Sequence, residues 1–180
     1  MNLTIDIGNT RTKIALFDGE TFVREEKFEN TDAEHLLNVV KEKEAEGLAF
    51  CSVAAENPLL VEALKQLPYP VLEVKGTTPA PVTVAYRTPE TLGADRLAAV
   101  VGAVTLKPQT DLLVVDAGTC ITYDFVDAAG NYLGGNISPG VEMRLEALHN
   151  CTARLPRIEA DGDTPDIGHD TETAIRAGVV

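Results

Sequence analysis

Apolar positions fall first into three short strand-like runs, Leu3 to Ile7, Lys13 to Phe17 and Thr21 to Phe28. Asp18-Gly19 between the last two predicts a hairpin turn. The spacing then changes to that of a helix. Leu36, Leu37, Val39 and Val40 form one stripe of a segment capped by Thr31 or Asp32 and running to about Glu46. Leu48 to Val53 reads as a buried strand, Asn57-Pro58 opens a helix through Leu67, and Val71 to Val74 is a further short strand. Pro79 to Thr88 reads as a loop. Residues 92 to 106, built from Ala, Leu and Val and stopped by Lys107-Pro108, predict the clearest helix of the first half.

The same order then begins again. Strands are predicted at 112 to 116 and 120 to 127, and the turn Ala129-Gly130-Asn131 leads to a strand entering Gly134-Gly135. A helix runs from about Gly140 to His149, residues 152 to 168 form a loop, and Thr171 caps a last helix. The pattern predicts a duplicated α/β fold: an N-terminal lobe over 1–110, a C-terminal lobe over 111–180, and a cleft between them. The second copy stops at Val180, before counterparts of residues 48 to 75, so the second lobe is expected to be truncated or completed by another element. An uncovered sheet edge and apolar face favour a partner.

The restart includes the chemistry. Asp6-Ile7-Gly8-Asn9-Thr10-Arg11-Thr12-Lys13 and Asp116-Ala117-Gly118-Thr119-Cys120-Ile121-Thr122-Tyr123-Asp124 each follow one apolar run and lead into another. In each, an Asp leaves a strand, a Gly permits a tight turn, and hydroxyls and backbone N–H groups follow. Such a turn can cradle a phosphate, because Gly lets the backbone approach and the amides point at the anion. Two of them suggest two lobes gripping one nucleotide.

Composition narrows the partners. The 180 residues are 44% hydrophobic and 24% charged, which suits a globular domain with a real core. The net charge of −13 repels nucleic acid and anionic membranes, so a bound phosphate needs local amides and a metal ion. The acidic stretch over 20 to 46 reads as a solvated face. Three widely spaced cysteines, Cys51, Cys120 and Cys151, without a CxxC pair, argue against a disulfide framework or zinc site and for a reducing cytoplasm. No leader or membrane-spanning run is apparent.

Four phrases in order, Asp6-Ile7-Gly8-Asn9-Thr10, Gly93-Ala94-Asp95-Arg96, Asp116-Ala117-Gly118-Thr119 and Gly134-Gly135-Asn136-Ile137-Ser138-Pro139-Gly140, resemble the type III pantothenate kinases. Tyr86 before the second phrase and Gly168-x-x-Thr171 after the fourth strengthen the likeness, which runs from residue 2 to about 178. The resemblance implies the ribonuclease H-like, actin-like ATPase fold of the actin, sugar kinase and Hsp70 superfamily. It also implies transfer of the ATP γ-phosphoryl group to the terminal hydroxyl of pantothenate, the first step towards coenzyme A. Family members are homodimers whose second lobes pack together, with the pantothenate site at the interface.

On that resemblance, the loop from Asp6 through Ile7, Gly8, Asn9, Thr10, Arg11 and Thr12 to Lys13 holds phosphates, and Asp6 binds Mg²⁺ through water. Asp95 is the catalytic base at the start of a helix, where the N-terminal dipole favours a carboxylate. Arg96 clamps the pantothenate carboxylate in a two-pronged pair. Asp116 is assigned to K⁺ or NH₄⁺ and Thr119 to ATP. Tyr86, Gly93, Ala94 and Thr171 complete the pantothenate contacts. Each residue also has a plainer reading: Asp6 as a turn aspartate, Asp95 as a first-turn helix stabiliser, Tyr86 as a packed aromatic, Thr171 as a helix cap. Gly134-Gly135 and Pro139-Gly140 shape the backbone. His35, His149, His169 and Cys120 need no function. A non-catalytic accessory protein of the same fold is the alternative, against which Asp95 and Arg96 both stand. A sugar or polyphosphate phosphotransferase is a second, against which the chain lacks large inserts.

Overall fold

The computed structural model describes residues 1–8, 10–29, 33–42, 45–53 and 58–180. Asn9, the proposed caps Thr31 and Asp32, and Asn57 lie outside the described residues, as does the side chain of His35.

The first sheet joins β1 (Asn2–Ile7), β2 (Arg11–Asp18), β3 (Thr21–Glu29), β4 (Gly47–Ser52) and β5 (Val71–Glu73) in the order β3-β2-β1-β4-β5. Strands β1 to β3 are antiparallel, whereas β4 and β5 run parallel to β1, the ribonuclease H-like arrangement. Gly19, with φ +58°, turns the β2–β3 hairpin where Asp18-Gly19 predicts it. The period-2 alternation sends Leu3, Ile5, Ile7, Ile14 and Leu16 to one face. There they bury against Leu36 and Val40 of α1 (Ala33–Lys41) and Leu60 and Leu64 of α2 (Pro58–Lys65). Each of these side chains contributes roughly 1.5–3 kcal/mol by leaving water. Helix α1 ends at Lys41, short of the expected Glu46.

The opposite face of this sheet carries Asp6, Lys13, Ala15, Ala49 and Cys51, whose register partners place them together. It looks onto a cavity of about 290 Å³, which Ala98 also lines.

The second sheet has the order β6-β9-β8-β7, from β6 (Thr83–Val84), β7 (Leu112–Ala117), β8 (Cys120–Val126) and β9 (Asn131–Pro139). Strands β7, β8 and β9 repeat the antiparallel β1-β2-β3 unit. The stretch Pro79 to Thr88, expected to be loop throughout, contains β6: Thr83 and Val84 pair in parallel with Asn131 and Tyr132. Two residues give too short a period for the sequence to announce a strand. Among the described residues β7 is an edge strand, whereas β1 carries β4 in the equivalent place.

Helix α3 (Ala94–Leu106) buries Leu97 and Val100 with Val126 and Tyr132 of the second sheet. Residues 80–106 precede the expected lobe boundary at 110/111, yet they pack largely with the second sheet. The same helix also touches β4, so it lies between the two sheets. Helices α4 (Val141–Asn150) and α5 (Thr171–Val179) form a third cluster through Leu145, Ile158, Ile175 and Val179. Asp170, not Thr171, caps α5. Its side chain accepts the Thr173 backbone N–H at 2.8 Å, and the Thr173 hydroxyl reciprocates in a capping box. Thr171 is therefore the first helical residue and is exposed.

Candidate active site

The two hairpins meet. The hydroxyls of Thr10 and Thr119, separated by 109 residues in sequence, stand 3.3 Å apart. Each turn is closed by a short backbone hydrogen bond, Gly8 N–H to the Arg11 carbonyl at 3.0 Å and Gly118 N–H to the Cys120 carbonyl at 2.9 Å. A Cβ on Gly8 would sit 3.0 Å from that Arg11 oxygen, so the first turn has little room for another residue.

Asp6 and Lys13 are register partners at the root of the first hairpin, and Lys13 Nζ lies 3.6 Å from Asp6 Oδ2. Both are partly exposed, so their attraction is worth little for stability and leaves each able to turn to a ligand. Cys51 donates its thiol to Asp6 Oδ1 at 3.6 Å. Burial, followed by the negative charge of Asp6, pushes that thiol up to about 12, and Asp95 acts on it in the same direction. Asp6, Lys13 and Cys51 line one cavity with Ala98 of α3, which puts the root of the first hairpin and the first turns of α3 on the same cleft. Arg11 points elsewhere, to Glu29 at 3.5 Å. The side chains of Ile7 and Thr12 face the first core, with Thr12 2% exposed. Neither side chain is directed to the cleft.

Asp95 is half-buried in the first turn of α3, where its Oδ1 accepts the Arg96 backbone N–H at 2.9 Å. Ala94 is buried and Gly93 is the residue before the helix. Arg96 is not an open clamp: it is 5% exposed and faces Asp124, itself 1% exposed. Its Nε lies 3.0 and 3.3 Å from the two Asp124 oxygens and its Nη2 2.5 Å from Oδ1. The buried hydroxyl of Tyr132 donates to the same Oδ1 at 2.6 Å. Burial pulls the Arg96 pKa down, but Asp124 outweighs it and the net shift is upward. The Tyr132 phenol is raised by burial and by Asp124. Arg96 Cζ also stands 5.7 Å from the centroid of the Tyr86 ring, a cation–π distance. The ring lies beside Gly134: a Cβ there would meet it at 3.7 Å, an ordinary contact, so it is the φ of +111° that calls for glycine.

Asp124 and Tyr132 were not among the candidates. One signal was present: Asp124 occupies a position of β8 in register with Val114, on the face that α3 covers. A carboxylate there needs a cation on the facing helix, and Arg96 is that cation.

Asp116 is exposed at the end of β7, opposite Thr122, and no Lys or Arg among the described residues pairs with it. The Gly118 and Thr119 carbonyls crowd the next bend, where a Cβ on Gly140 would fall 2.2 and 2.6 Å from them. Thr171 is exposed at the start of α5, and no hydrogen bond or ion pair among the described residues links it to Tyr86, Asp95 or Arg96.

A profile described as type III pantothenate kinase matches residues 2–180. The chain belongs to the type III pantothenate kinase family. It is 52% identical over 179 residues to the type III pantothenate kinase of Bacteroides fragilis, covering 99% of this chain and 74% of that protein. The enzyme of the same name from Phocaeicola vulgatus is 48% identical over 180 residues, covering 100% and 74%. Among solved structures, a Campylobacter jejuni protein named for the Baf family of transcriptional activators superposes with a TM-score of 0.62 at 23% identity. That match covers 98% of this chain and 73% of the other, and it speaks for the fold alone. No helix of the described residues is long and apolar enough to cross a membrane.

Proposed function

We propose that this protein is a pantothenate kinase, transferring the γ-phosphoryl group of ATP to the terminal hydroxyl of pantothenate to give 4′-phosphopantothenate and ADP. The observation that carries the reading is the meeting of Thr10 and Thr119 at 3.3 Å beside a cleft lined by Asp6, Lys13 and α3, the helix that Asp95 opens. The lobes are taken as the two packed units, so the division falls before β6.

ATP phosphates lie along the first hairpin, against the amides from Ile7 to Arg11 and the Lys13 ammonium, with the Thr119 hydroxyl on the other side. Asn9, outside the described residues, belongs to that loop by sequence. Asp95 accepts the proton of the pantothenate hydroxyl as its oxygen bonds to the γ-phosphorus and the bond to ADP breaks. This transfer needs mainly alignment and charge neutralisation, which the half-buried position of Asp95 at a helix start supports. Tyr86, Gly93, Ala94 and Arg96 surround the acceptor, with Arg96 presenting the Nη1 donors that lie outside its pair with Asp124.

Kinases of this kind use ATP with Mg²⁺, which when bound neutralises charge on the β- and γ-phosphate oxygens. Asp6 fits that ion: it is a partly exposed hard oxygen donor, and one carboxylate suffices for a cation that keeps several waters. Asp116 fits K⁺ or NH₄⁺, since it is exposed, without a basic partner among the described residues, and close in sequence to the carbonyls bent around Gly140. A homodimer is favoured by the outer face of the second sheet, where Leu113, Val115 and Phe125 are exposed. Thr171, exposed at the start of α5, would then act across that dimer. Three unpaired cysteines support a cytoplasmic setting, and the −13 charge supports the absence of nucleic-acid or membrane partners.

The test is coupled ADP release with pantothenate, with glycerol and with no acceptor. Release is expected with pantothenate alone. Equal release without acceptor, or with glycerol, would overturn the assignment.

A further inference from the structure

Four side chains from four separate segments meet at the start of α3. Tyr86 follows β6, Arg96 opens α3, and Asp124 and Tyr132 lie on neighbouring strands of the second sheet. Their roles differ in kind. Asp124 is 1% exposed and Tyr132 0%, so neither can reach a substrate that Tyr86 and Arg96 do not meet first. Asp124 binds Arg96 side-on, through Nε and Nη2, and so fixes the plane and rotation of the guanidinium. A long, rotamer-rich side chain is thereby held in one pose. The Tyr132 hydroxyl occupies Asp124 Oδ1 as well, so the carboxylate is itself held from two directions. The space for this arrangement exists only because residue 135 is Gly, since a Cβ there would stand 2.6 Å from Asp124 Oδ1 and 2.9 Å from Arg96 Nη2.

We infer that Asp124, held by Tyr132, is a positioning residue for pantothenate recognition: it fixes the guanidinium of Arg96, and with it the Tyr86 ring 5.7 Å away, in one pose toward the acceptor. The inference rests on the pantothenate kinase reading and deepens it. Neither Asp124 nor Tyr132 touches ATP or the transferred group. Their loss should therefore weaken acceptor binding and leave the nucleotide side nearly unchanged, whereas a merely structural role would disturb both sides alike.

The experiment compares wild type, Asp124→Asn, Arg96→Lys and the double variant, with KM for pantothenate and for ATP measured separately and folding checked by thermal melting. Asp124→Asn is expected to raise KM for pantothenate at least tenfold and to change KM for ATP less than twofold. If Asp124 acts through Arg96, the double variant should lose little more than Arg96→Lys alone, a non-additive cycle. An unchanged KM for pantothenate in a folded Asp124→Asn protein overturns the inference, and so do equal losses on both substrates or an additive cycle. Should Asp124→Asn fail to fold, Tyr132→Phe decides: it keeps the ion pair and ring volume but removes one hydrogen bond. A rise of about threefold in KM for pantothenate alone supports the inference, and no change or equal changes overturn it. A wild-type protein without pantothenate-dependent ADP release would instead sink the parent reading, which separates the two failures.

Discussion

Gly135→Ala should be far more damaging than the size of a methyl group suggests. Gly135 of β9 stands opposite Asp124 in the antiparallel ladder. An added Cβ would lie 2.0 Å from the Tyr123 carbonyl oxygen, 2.6 Å from Asp124 Oδ1 and 2.9 Å from Arg96 Nη2, all inside the 3.0 Å that real Cβ atoms respect. The first obstacle is main chain and cannot rotate away, so β8 and β9 must separate locally or the buried pair must shift. Forced repacking alone costs about 1–3 kcal/mol. Any weakening of the Arg96–Asp124 pair adds to it, since uncoupling a buried ion pair costs roughly 3–5 kcal/mol when complete. A loss of about 2–4 kcal/mol corresponds to a fall of roughly 5–15 °C in Tm for a chain of this size. Gly102→Ala in α3 is the control. Nothing lies within 4 Å of its added Cβ, and an exposed mid-helix Gly→Ala change gains about 0.5–1 kcal/mol. Thermal unfolding followed by circular dichroism distinguishes them. A Gly135→Ala protein melting within about 2 °C of wild type would refute the packing argument.

Three further outcomes follow from the cleft. Asp95→Asn should retain the fold and ATP binding while kcat falls by roughly 10² to 10⁴, the usual loss for a general base; more than half of wild-type kcat would remove Asp95 from the mechanism. Initial rates at constant ionic strength should need K⁺ or NH₄⁺ and fall sharply in Na⁺, a dependence that Asp116→Asn weakens; equal rates in K⁺ and Na⁺ count against the site. Iodoacetamide at pH 8.5 should label exposed Cys151 and spare Cys51, whose thiol holds its proton up to about 12. Because that folded value is raised, the Cys51 contribution to stability is complete below the ordinary thiol pKa and is lost as pH rises from there through about 12, which melting curves between pH 8 and 11 can follow.

Local order was legible wherever one face of an element is buried. Leu3, Ile5 and Ile7 announce β1, and Leu36 with Val40 announces α1, because period and burial coincide in both. The repeated Asp-x-Gly phrase, with a Thr one or two residues on, locates both hairpins, since tight turns demand particular residues. Three features escaped for identifiable reasons. Strand β6 is two residues long and is defined by its partner Asn131–Tyr132, which no local window contains. The α5 cap fell one residue early, because Asp170 and Thr171 can both cap and only the fold of the preceding loop decides. The motif predicts that Arg96 faces substrate alone. Its long-range partner Asp124 lies 28 residues away, and motif spacing does not report which polar groups a helix carries into a core.

The Arg96–Asp124–Tyr132 cluster also poses a question that stability cannot answer. A buried ion pair gains attraction but loses the hydration of two charges, and well-packed apolar replacements are often neutral or stabilising. Here the pair is enclosed, at 5% and 1% exposure, and the Tyr132 hydroxyl donates to it. The variant Arg96→Met, Asp124→Leu, Tyr132→Phe removes both charges and the hydroxyl together and leaves no orphaned buried polar group among the three. It should melt at or above the wild-type temperature, because Leu97, Val100 and Val126 already provide apolar surroundings. Its pantothenate-dependent ADP release should nevertheless be lost. Single removal of Asp124 should do the reverse in stability, lowering the melting temperature by leaving a buried guanidinium without its counter-charge. If the triple variant melts well below Asp124→Asn, the cluster is a structural brace and the charges hold the lobe together. Stability kept while acceptor-dependent activity disappears would mean that the buried charges serve the geometry of the acceptor site.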